Sequence, residues 1–319
     1  MIFRIIVFSF LLMTGISAIG QTCCSAGAPV SAFLEIVQAK EKSMSIQLNY
    51  EYKSINLLID NNDRLENDQR TRYGQNVSFK LDYTLNSKWA FSALIPFVHH
   101  SRNTLSENQN SYGIGDLSLL TQYNLISNEL HNVNISSGVK FPVGLTSHKG
   151  PSQIFLSPDM QSGSGSFDYL VRASYSKSDF IIPFMSSLVS LVYRKNGTNE
   201  SFGSSDGFAG RRFAFGDELV SVFGLRYLKT FEAGFFIPDL SLKIRWSKSN
   251  IEQGVDSPNS GGKWVSIPLG FSFVPDETKS IRVYTEIPVY QDLEGLQITT
   301  DFLIGVQFIY NRKGNKFYK

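Results

Sequence analysis

The sequence has few cysteines, and both of them lie near the N-terminus. Cys23 and Cys24 are adjacent, and neighbouring cysteines strain a bridge between themselves. No further cysteine or histidine follows at the spacing of metal ligands. We therefore expect an inert tail here rather than lipid attachment or metal capture. The sequence predicts no metal site and no bound cofactor.

The sequence is also poor in charge. Charged residues make up 18% of the chain, against roughly 25% in soluble domains. The formal net charge is +2 and no basic run occurs, so nucleic acid is not an expected partner. Phe and Tyr are abundant, at 25 and 14 residues. This combination is unusual for a soluble globular protein.

Long apolar runs are missing as well, apart from one at the N-terminus. Arg4 precedes an apolar run over residues 5–13, and small residues follow up to Gly20. The pattern predicts a secretory signal peptide over residues 1–20, with Gln21 as the first mature residue. The run is too short for a membrane anchor, which needs ~20 apolar residues. No later stretch is long and apolar enough for a membrane helix.

Beyond residue 43, apolar and polar residues alternate with a period of two, and no helical stripe occurs. In residues 70–85, Phe79 and Leu81 share one face, while Lys80 and Asp82 share the other. This period indicates β-strands. Twelve strands are predicted, near 44–59, 70–85, 88–100, 112–126, 131–145, 166–177, 179–195, 212–228, 234–248, 263–274, 279–290 and 296–310.

Alternation alone fits two all-β folds. A soluble sandwich buries its apolar face, whereas an outer-membrane barrel turns that face to lipid. Several predicted strands exceed the ~5–6 residues usual in globular proteins and reach the ~9–11 that cross a membrane. Links of three or four residues alternate with long polar loops at 60–71, 101–111, 146–165, 196–211 and 249–262. Short turns at one end and long loops at the other are typical of bacterial outer-membrane barrels.

The predicted fold is therefore a transmembrane antiparallel up-and-down β-barrel of about twelve strands. The barrel spans residues 44–319, after the cleaved signal peptide and a periplasmic N-terminal segment over residues 21–43. We expect the exported protein in the bacterial outer membrane, with both termini periplasmic and with outer-membrane lipid as a partner. The sequence gives no signal for the oligomeric state.

Prolines fall inside six predicted strands. Proline removes a ladder hydrogen-bond donor and is normally confined to strand edges or bulges. A closed barrel has no free edge, so each proline is expected to mark a bulge, a kink or the end of a strand. These positions are Pro96, Pro142, Pro183, Pro238, Pro268 and Pro288.

Three short motifs follow one another between residues 113 and 177. Gly113-x-Gly115-Asp116 is not a phosphate-binding loop, because a polar loop precedes it and an alternating strand follows. The second is Lys140-x-Pro142-x-Gly144, and the third is "GSGS" over residues 163–166. Their order resembles the family of outer-membrane transporters associated with the meta-pathway of phenol degradation.

The resemblance implies an outer-membrane channel for small, hydrophobic or aromatic solutes. It assigns an architectural role to the motif residues, which are Gly113, Gly115, Asp116, Pro142 and Gly144. No solute-binding residue is implied.

Charged residues on the polar face of the predicted strands are expected to line the lumen. Arg or Lys at mid-membrane on the lipid face would cost roughly 2–4 kcal/mol each. The charged residues of the polar face either line a passive channel or form a salt-bridged plug. The proposed lumen-lining residues are Lys80, Asp82, Asp116, Lys140, Arg172, Arg226, Lys243, Arg245, Arg282, Glu286 and Asp301.

Two other functions compete with the channel. A structural barrel could bind through its surface loops, such as the mixed-charge loop at residues 60–71. A lipid hydrolase could use His99 and Ser101, which have His-x-Ser spacing, with an oxyanion donor supplied by the fold. The residues that would follow in such hydrolases, Asn-Gly, are absent, and we predict no enzymatic activity.

Overall fold

The computed structural model describes residues 41–67, 71–205 and 209–312. Twelve long strands follow one another along the chain. They are β1 (Ser43–Ser54), β2 (Thr71–Thr84), β3 (Trp89–Asn103), β4 (Leu117–Ser127), β5 (His131–Phe141), β6 (Asp168–Lys177), β7 (Met185–Lys195), β8 (Glu218–Tyr227), β9 (Gly234–Ser247), β10 (Gly262–Asp276), β11 (Lys279–Leu293) and β12 (Phe302–Arg312). The predicted signal peptide, Cys23 and Cys24 lie outside the described residues.

Each strand pairs antiparallel with its neighbour in sequence, and β12 pairs with β1. The sheet therefore closes on itself, which confirms the predicted all-β barrel of twelve strands. One short 3₁₀ turn, Pro158–Met160, lies in the connection between β5 and β6. In the described part of the chain, no helix is long and apolar enough to cross a membrane.

The two faces of the wall carry opposite chemistry. On β2, Phe79 is 44% exposed and Val77 and Tyr83 are exposed as well, whereas Lys80 and Asp82 are buried inside. A soluble sandwich would bury the apolar face instead. An outer surface this apolar is stable against lipid, as in outer-membrane barrels.

The two ends of the barrel differ as the sequence predicts. Turns of a few residues join the strands at one end, where both described ends of the chain also lie. The long connections at the other end add small sheets above the wall. One joins Leu57–Asp60, Asp63–Leu65 and Leu296–Thr299, and another joins Thr198–Phe202, Arg211–Ala214, Ile251–Glu252 and Val255–Asp256.

The small sheets interrupt three predicted strands. The predicted strand 44–59 ends as β1 at Ser54 and continues in Leu57–Asp60, and the predicted strand 212–228 is divided into Arg211–Ala214 and β8. The predicted strand 296–310 is interrupted, because Leu296–Thr299 belongs to the three-stranded sheet and β12 begins only at Phe302.

The predicted strand 112–126 is also divided. Asn108–Ile114 pairs with the upper part of β3, and β4 begins at Leu117. The strand predicted from residue 112 therefore begins at Leu117, Gly113 lies in the preceding strand, and Gly115 lies in the break.

The prolines divide into three groups. Pro96 lies at a bulge. Between the register pairs Phe97–Ile114 and Leu94–Ser118, β3 has two residues and the facing segment has three. Pro288 lies at a second register shift, between β10 and β11. Two more lie beyond strand ends, and two lie within β9 and β10 without a register shift. Those four are Pro142 and Pro183, then Pro238 and Pro268.

Candidate functional site

The lumen contains part of the connection between β5 and β6. We name residues 157–166 the strap. Met160 and Gln161 in the strap have no exposed surface, and the Ser111 hydroxyl donates to the Met160 carbonyl. The strap therefore fills part of the lumen near the long-loop end. The sequence predicts only a polar loop here.

One anchor of the strap is an ion pair with the wall. Arg72 of β2 is 1% exposed and bonds the Asp159 carboxylate through one guanidinium nitrogen. Its other terminal nitrogen donates to the Asp159 carbonyl at 2.7 Å. Burial alone would raise the pKa of the Asp159 carboxyl, but Arg72 and Arg102 outweigh it and hold that pKa below its ordinary value.

A second anchor joins the strap to β5 and β6. The Ser164 amide and hydroxyl donate to Asp116 Oδ2 at 2.9 and 2.7 Å, and the Gly144 amide donates to Asp116 Oδ1 at 3.1 Å. Lys140 Nζ lies 3.1 Å from Asp116 Oδ2 and 2.5 Å from Asp168 Oδ2. The side chains of these residues are buried, namely Asp116, Lys140, Ser164 and Asp168. We name Arg72, Asp159, Asp116, Lys140 and Asp168 the latch sector.

The latch sector brings the three sequence motifs together at one place. Asp116 comes from the first motif, Lys140 and Gly144 from the second, and Gly163 and Ser164 from the third. A Cβ at Gly163 would lie 2.5 Å from the Gly144 carbonyl, so a side chain there would displace the strap. These contacts give the motif residues a packing role.

Opposite the strap, a second group of ion pairs lies on β8 to β11. Arg282 donates to both oxygens of Asp239, at 3.1 and 2.7 Å. Lys243 bonds both oxygens of Glu286, at 3.0 and 2.9 Å. Arg245 and Arg194 both pair with Glu218. We name Glu218, Asp239, Lys243, Arg245, Arg282 and Glu286 the ladder sector.

The ladder sector is partly open to solvent. The side chains of Lys243 and Glu286 are 14% and 21% exposed. They line a cavity of about 80 Å³ together with Arg282, Tyr284 and Glu51. A single water needs roughly 10–15 Å³, so the cavity has room for several waters and is narrow. The Tyr284 hydroxyl donates to Glu51 at 2.7 Å within this lining.

Three apolar residues also line this cavity, among polar ones. Leu94 of β3, Leu188 of β7 and Val222 of β8 line it. Leu94 packs with Leu120 and Leu170, and Val222 belongs to another inward-facing apolar cluster. Val222 lies in register with Lys243, and Leu94 lies in register with Lys80. The cavity therefore offers charged and apolar contacts side by side.

The remaining sequence-predicted lumen residues occupy different surroundings. Lys80 pairs with Asp82 at 3.2 Å, and both side chains are buried. Arg172 contacts the hydroxyls of Ser174 and Ser190, each at 3.3 Å. Arg226 and Lys80 line the cavity. Asp301 precedes β12 and accepts from the Ser54 hydroxyl at 2.9 Å, near the long-loop end.

Sequence reasoning missed several partners of these residues. Asp239 shares its strand face with Lys243, so the same alternation includes it. Asp168 likewise shares a face with Arg172. Arg194 and Glu218 lie on strands with apolar residues on both faces, which conceals the alternation. Arg72 shares a face with Lys80, but nothing in the pattern indicates its partner in the strap.

The hydrolase hypothesis gains no support from the geometry. His99 packs edge-on against Tyr73, with ring centroids 5.8 Å apart. In the residues the structure describes, no hydrogen bond joins His99 to Ser101. His100 lies opposite Gly74 of β2, and its ring packs over that glycine.

A comparison with solved structures shows the fold. An outer-membrane channel from Pseudomonas putida F1 superposes with a TM-score of 0.70 at 14% identity, over 88% of this chain and 98% of that one. The β domain of the Bordetella autotransporter BrkA reaches 0.48 at 8% identity, over 86% and 100%. No family model and no curated protein matches the chain. The first likeness shows the fold, which is that of a bacterial outer-membrane β-barrel.

Proposed function

We propose that this protein is a passive channel for small solutes in the outer membrane. The observation that carries the proposal is the narrow cavity beside the ladder sector, whose lining combines charged, polar and apolar side chains. The strap occupies the other side of the lumen, so the solute path follows β8 to β11. The similar barrel from Pseudomonas putida F1 is itself described as a channel.

The cavity suits a solute with an apolar body and a polar group. Leu94, Leu188 and Val222 offer contact to hydrocarbon, while Arg282 and Lys243 offer donors in the same lining. This chemistry agrees with the hydrophobic or aromatic solutes that the motif resemblance implies. We propose that the long loops face outward and that both termini lie in the periplasm.

Conductance of the refolded protein in a planar bilayer tests the channel. We expect discrete steps of small conductance, because the cavity is narrow. The matched control is the same preparation left unfolded, which should give none. A folded barrel that never conducts and admits no small aromatic acid in liposome-swelling assays would contradict the proposal and leave a plugged barrel.

Labelling of neighbouring positions tests which face meets lipid. Ser78 is buried inside and Phe79 is exposed outside on the same strand. With Cys23 and Cys24 replaced by serine, a fluorescent label on Phe79→Cys should be quenched by lipid-soluble quenchers. A label on Ser78→Cys should be spared by them. A reversed result would contradict the membrane orientation of the wall.

A further inference from the structure

Two lysines on the outside of the barrel share one carboxylate. Lys195 Nζ and Lys248 Nζ lie 3.0 and 3.5 Å from the same oxygen of Asp217. The Tyr193 hydroxyl donates to that oxygen at 3.2 Å. The lysine side chains are 61% and 56% exposed, whereas Asp217 is buried. The site thus presents two ammonium groups for one buried anion.

The backbone fixes this site at the corner between β7, β8 and β9. The Asn196 amide donates to the other Asp217 oxygen at 3.1 Å, and the Asn196 side chain donates to the Gly216 carbonyl at 2.6 Å. The Lys248 amide donates to the Asp217 carbonyl at 3.0 Å. Burial opposes ionisation of Asp217, but Lys195 and the Asn196 amide hold its pKa below the ordinary value. The carboxylate therefore stays charged at neutral pH, and one positive charge remains in excess.

The site lies at the edge of the apolar belt. Leu191 and Tyr193 are exposed on the outward face of β7, directly below Lys195. Trp246 of β9 lies in register with a further exposed lysine, Lys263. Aromatic rings and lysines at this height are typical of a membrane interface.

The opposite side of the barrel lacks this arrangement among the described residues. The upper outward positions of β12, β1 and β2 carry Phe302, Tyr52 and Tyr73, whose rings pack in a row. His99 of β3 continues the row. Cations at this edge are therefore concentrated on β7 to β10.

We propose that Lys195 and Lys248 bind the phosphate group of a lipid in the leaflet around the long-loop end. A phosphate oxygen accepts charge-assisted hydrogen bonds from both ammonium groups, and the excess positive charge favours an anion. The acyl chains of the same lipid lie along Leu191 and Ile244, which are exposed on the belt below. This site goes beyond the channel function and depends only on the membrane orientation of the wall.

Quenching of Trp246 by brominated lipids tests the proposal. The full chain carrying Trp89→Phe is reconstituted in phosphatidylcholine vesicles, so that Trp246 reports on the outer surface. Trp264 is buried in the lumen and bonds Thr299 at 3.1 Å, so it is shielded from lipid. Chain-brominated phosphatidic acid should quench at lower mole fraction than brominated phosphatidylcholine, by roughly fivefold for each lysine engaged.

Substitution of the two lysines should remove the difference between the lipids. Lys195→Gln with Lys248→Gln is the test variant, and Lys195→Arg with Lys248→Arg should retain the preference. Lys229→Gln with Lys279→Gln, at the short-turn end, is the matched control and should also retain it. If the double glutamine variant does not fold, Lys195→Gln alone should give an intermediate preference.

Three results would overturn the proposal. Equal quenching by both lipids in the parent protein would show no preference for phosphatidic acid. A preference that survives in the double glutamine variant would show that other residues bind the lipid. Loss of the preference on adding inorganic phosphate at constant ionic strength would indicate a small-anion site instead of a lipid site. Conductance is unaffected by these substitutions if both proposals hold, so the two fail separately.

Discussion

The latch sector and the ladder sector contain similar ion pairs in different surroundings. Arg72 and Lys140 are almost completely buried with their partners, while Lys243 and Arg282 keep part of their surface exposed in the cavity. Removing one partner of a fully buried ion pair lowers the free energy of unfolding strongly, because the remaining charge cannot be solvated. Removing one partner of a partly exposed pair lowers the free energy of unfolding less, because water solvates the remaining charge. The latch sector therefore holds the strap, and the ladder sector leaves a path beside it.

Removing the cation of the latch sector should have the largest effect on stability. Lys140→Met leaves the carboxylates of Asp116 and Asp168 buried and without their cation. We expect a loss of roughly 3–5 kcal/mol in the free energy of unfolding, measured by urea unfolding in lipid vesicles. The matched control, Lys243→Met in the ladder sector, should cost roughly 1 kcal/mol. Equal losses would contradict the contrast between the two sectors.

Breaking the other anchor should open the lumen. Arg72→Leu removes both contacts to Asp159, so the strap loses its attachment to β2. We expect higher single-channel conductance than in the parent, measured in planar bilayers at neutral pH. Arg245→Leu, which leaves the strap attached, should not give this increase. Unchanged conductance in Arg72→Leu would show that the strap is held without this pair.

Acid should release the strap in the same way. The folded-state pKa of Asp159 is lowered, so its contribution to stability is fully present above the ordinary pKa of an aspartate. That contribution is lost as the pH falls through the lowered value. Conductance should therefore stay constant from neutral pH down to the ordinary aspartate range and rise only below it. Asp159→Asn should remove this rise, and a parent-like rise in that variant would assign it to another group.

The smallest effect is expected from a neutral substitution in the ladder sector. Glu286→Gln removes the charge that pairs with Lys243, while Ser266 can still donate to the side chain. We expect little change in stability and a shift towards anion selectivity. The reversal potential under a potassium chloride gradient measures it. Asp168→Asn, in the latch sector, should leave ion selectivity unchanged. A shift of selectivity in that variant would place the solute path beside the latch sector.

The strands could be predicted because burial in a barrel wall imposes a period of two. Phe79 and Lys80 differ enough in polarity for this period to be visible on β2, and most of the strands show it. The same rule fails on β8, where Val220 and Val222 face inward among apolar neighbours. Inside a barrel such residues pack against each other, so sequence alone does not separate the two faces.

The strap could not be predicted, because its residues are ordinary for a polar loop. Ser164 and Gly163 fold inward only because Asp116, Lys140 and Gly144 surround them, and these three residues come from two other segments of the chain. The order of the motifs indicated that these segments belong together. It carried no information on their contact, which depends on the closed wall.

The pairing of β12 with β1 has a consequence for how the protein folds. Ser54 opposes Phe302, and the small sheet above the wall joins Leu57–Asp60 to Leu296–Thr299 across the same seam. These contacts have very high sequence separation, and such contacts form slowly because a long loop must close first. Until the last strand arrives, β1 and β11 keep unpaired edges that can join another chain. Closure of the wall is therefore a late event that waits for the C-terminal strand, and a chain ending before Phe302 is expected to aggregate.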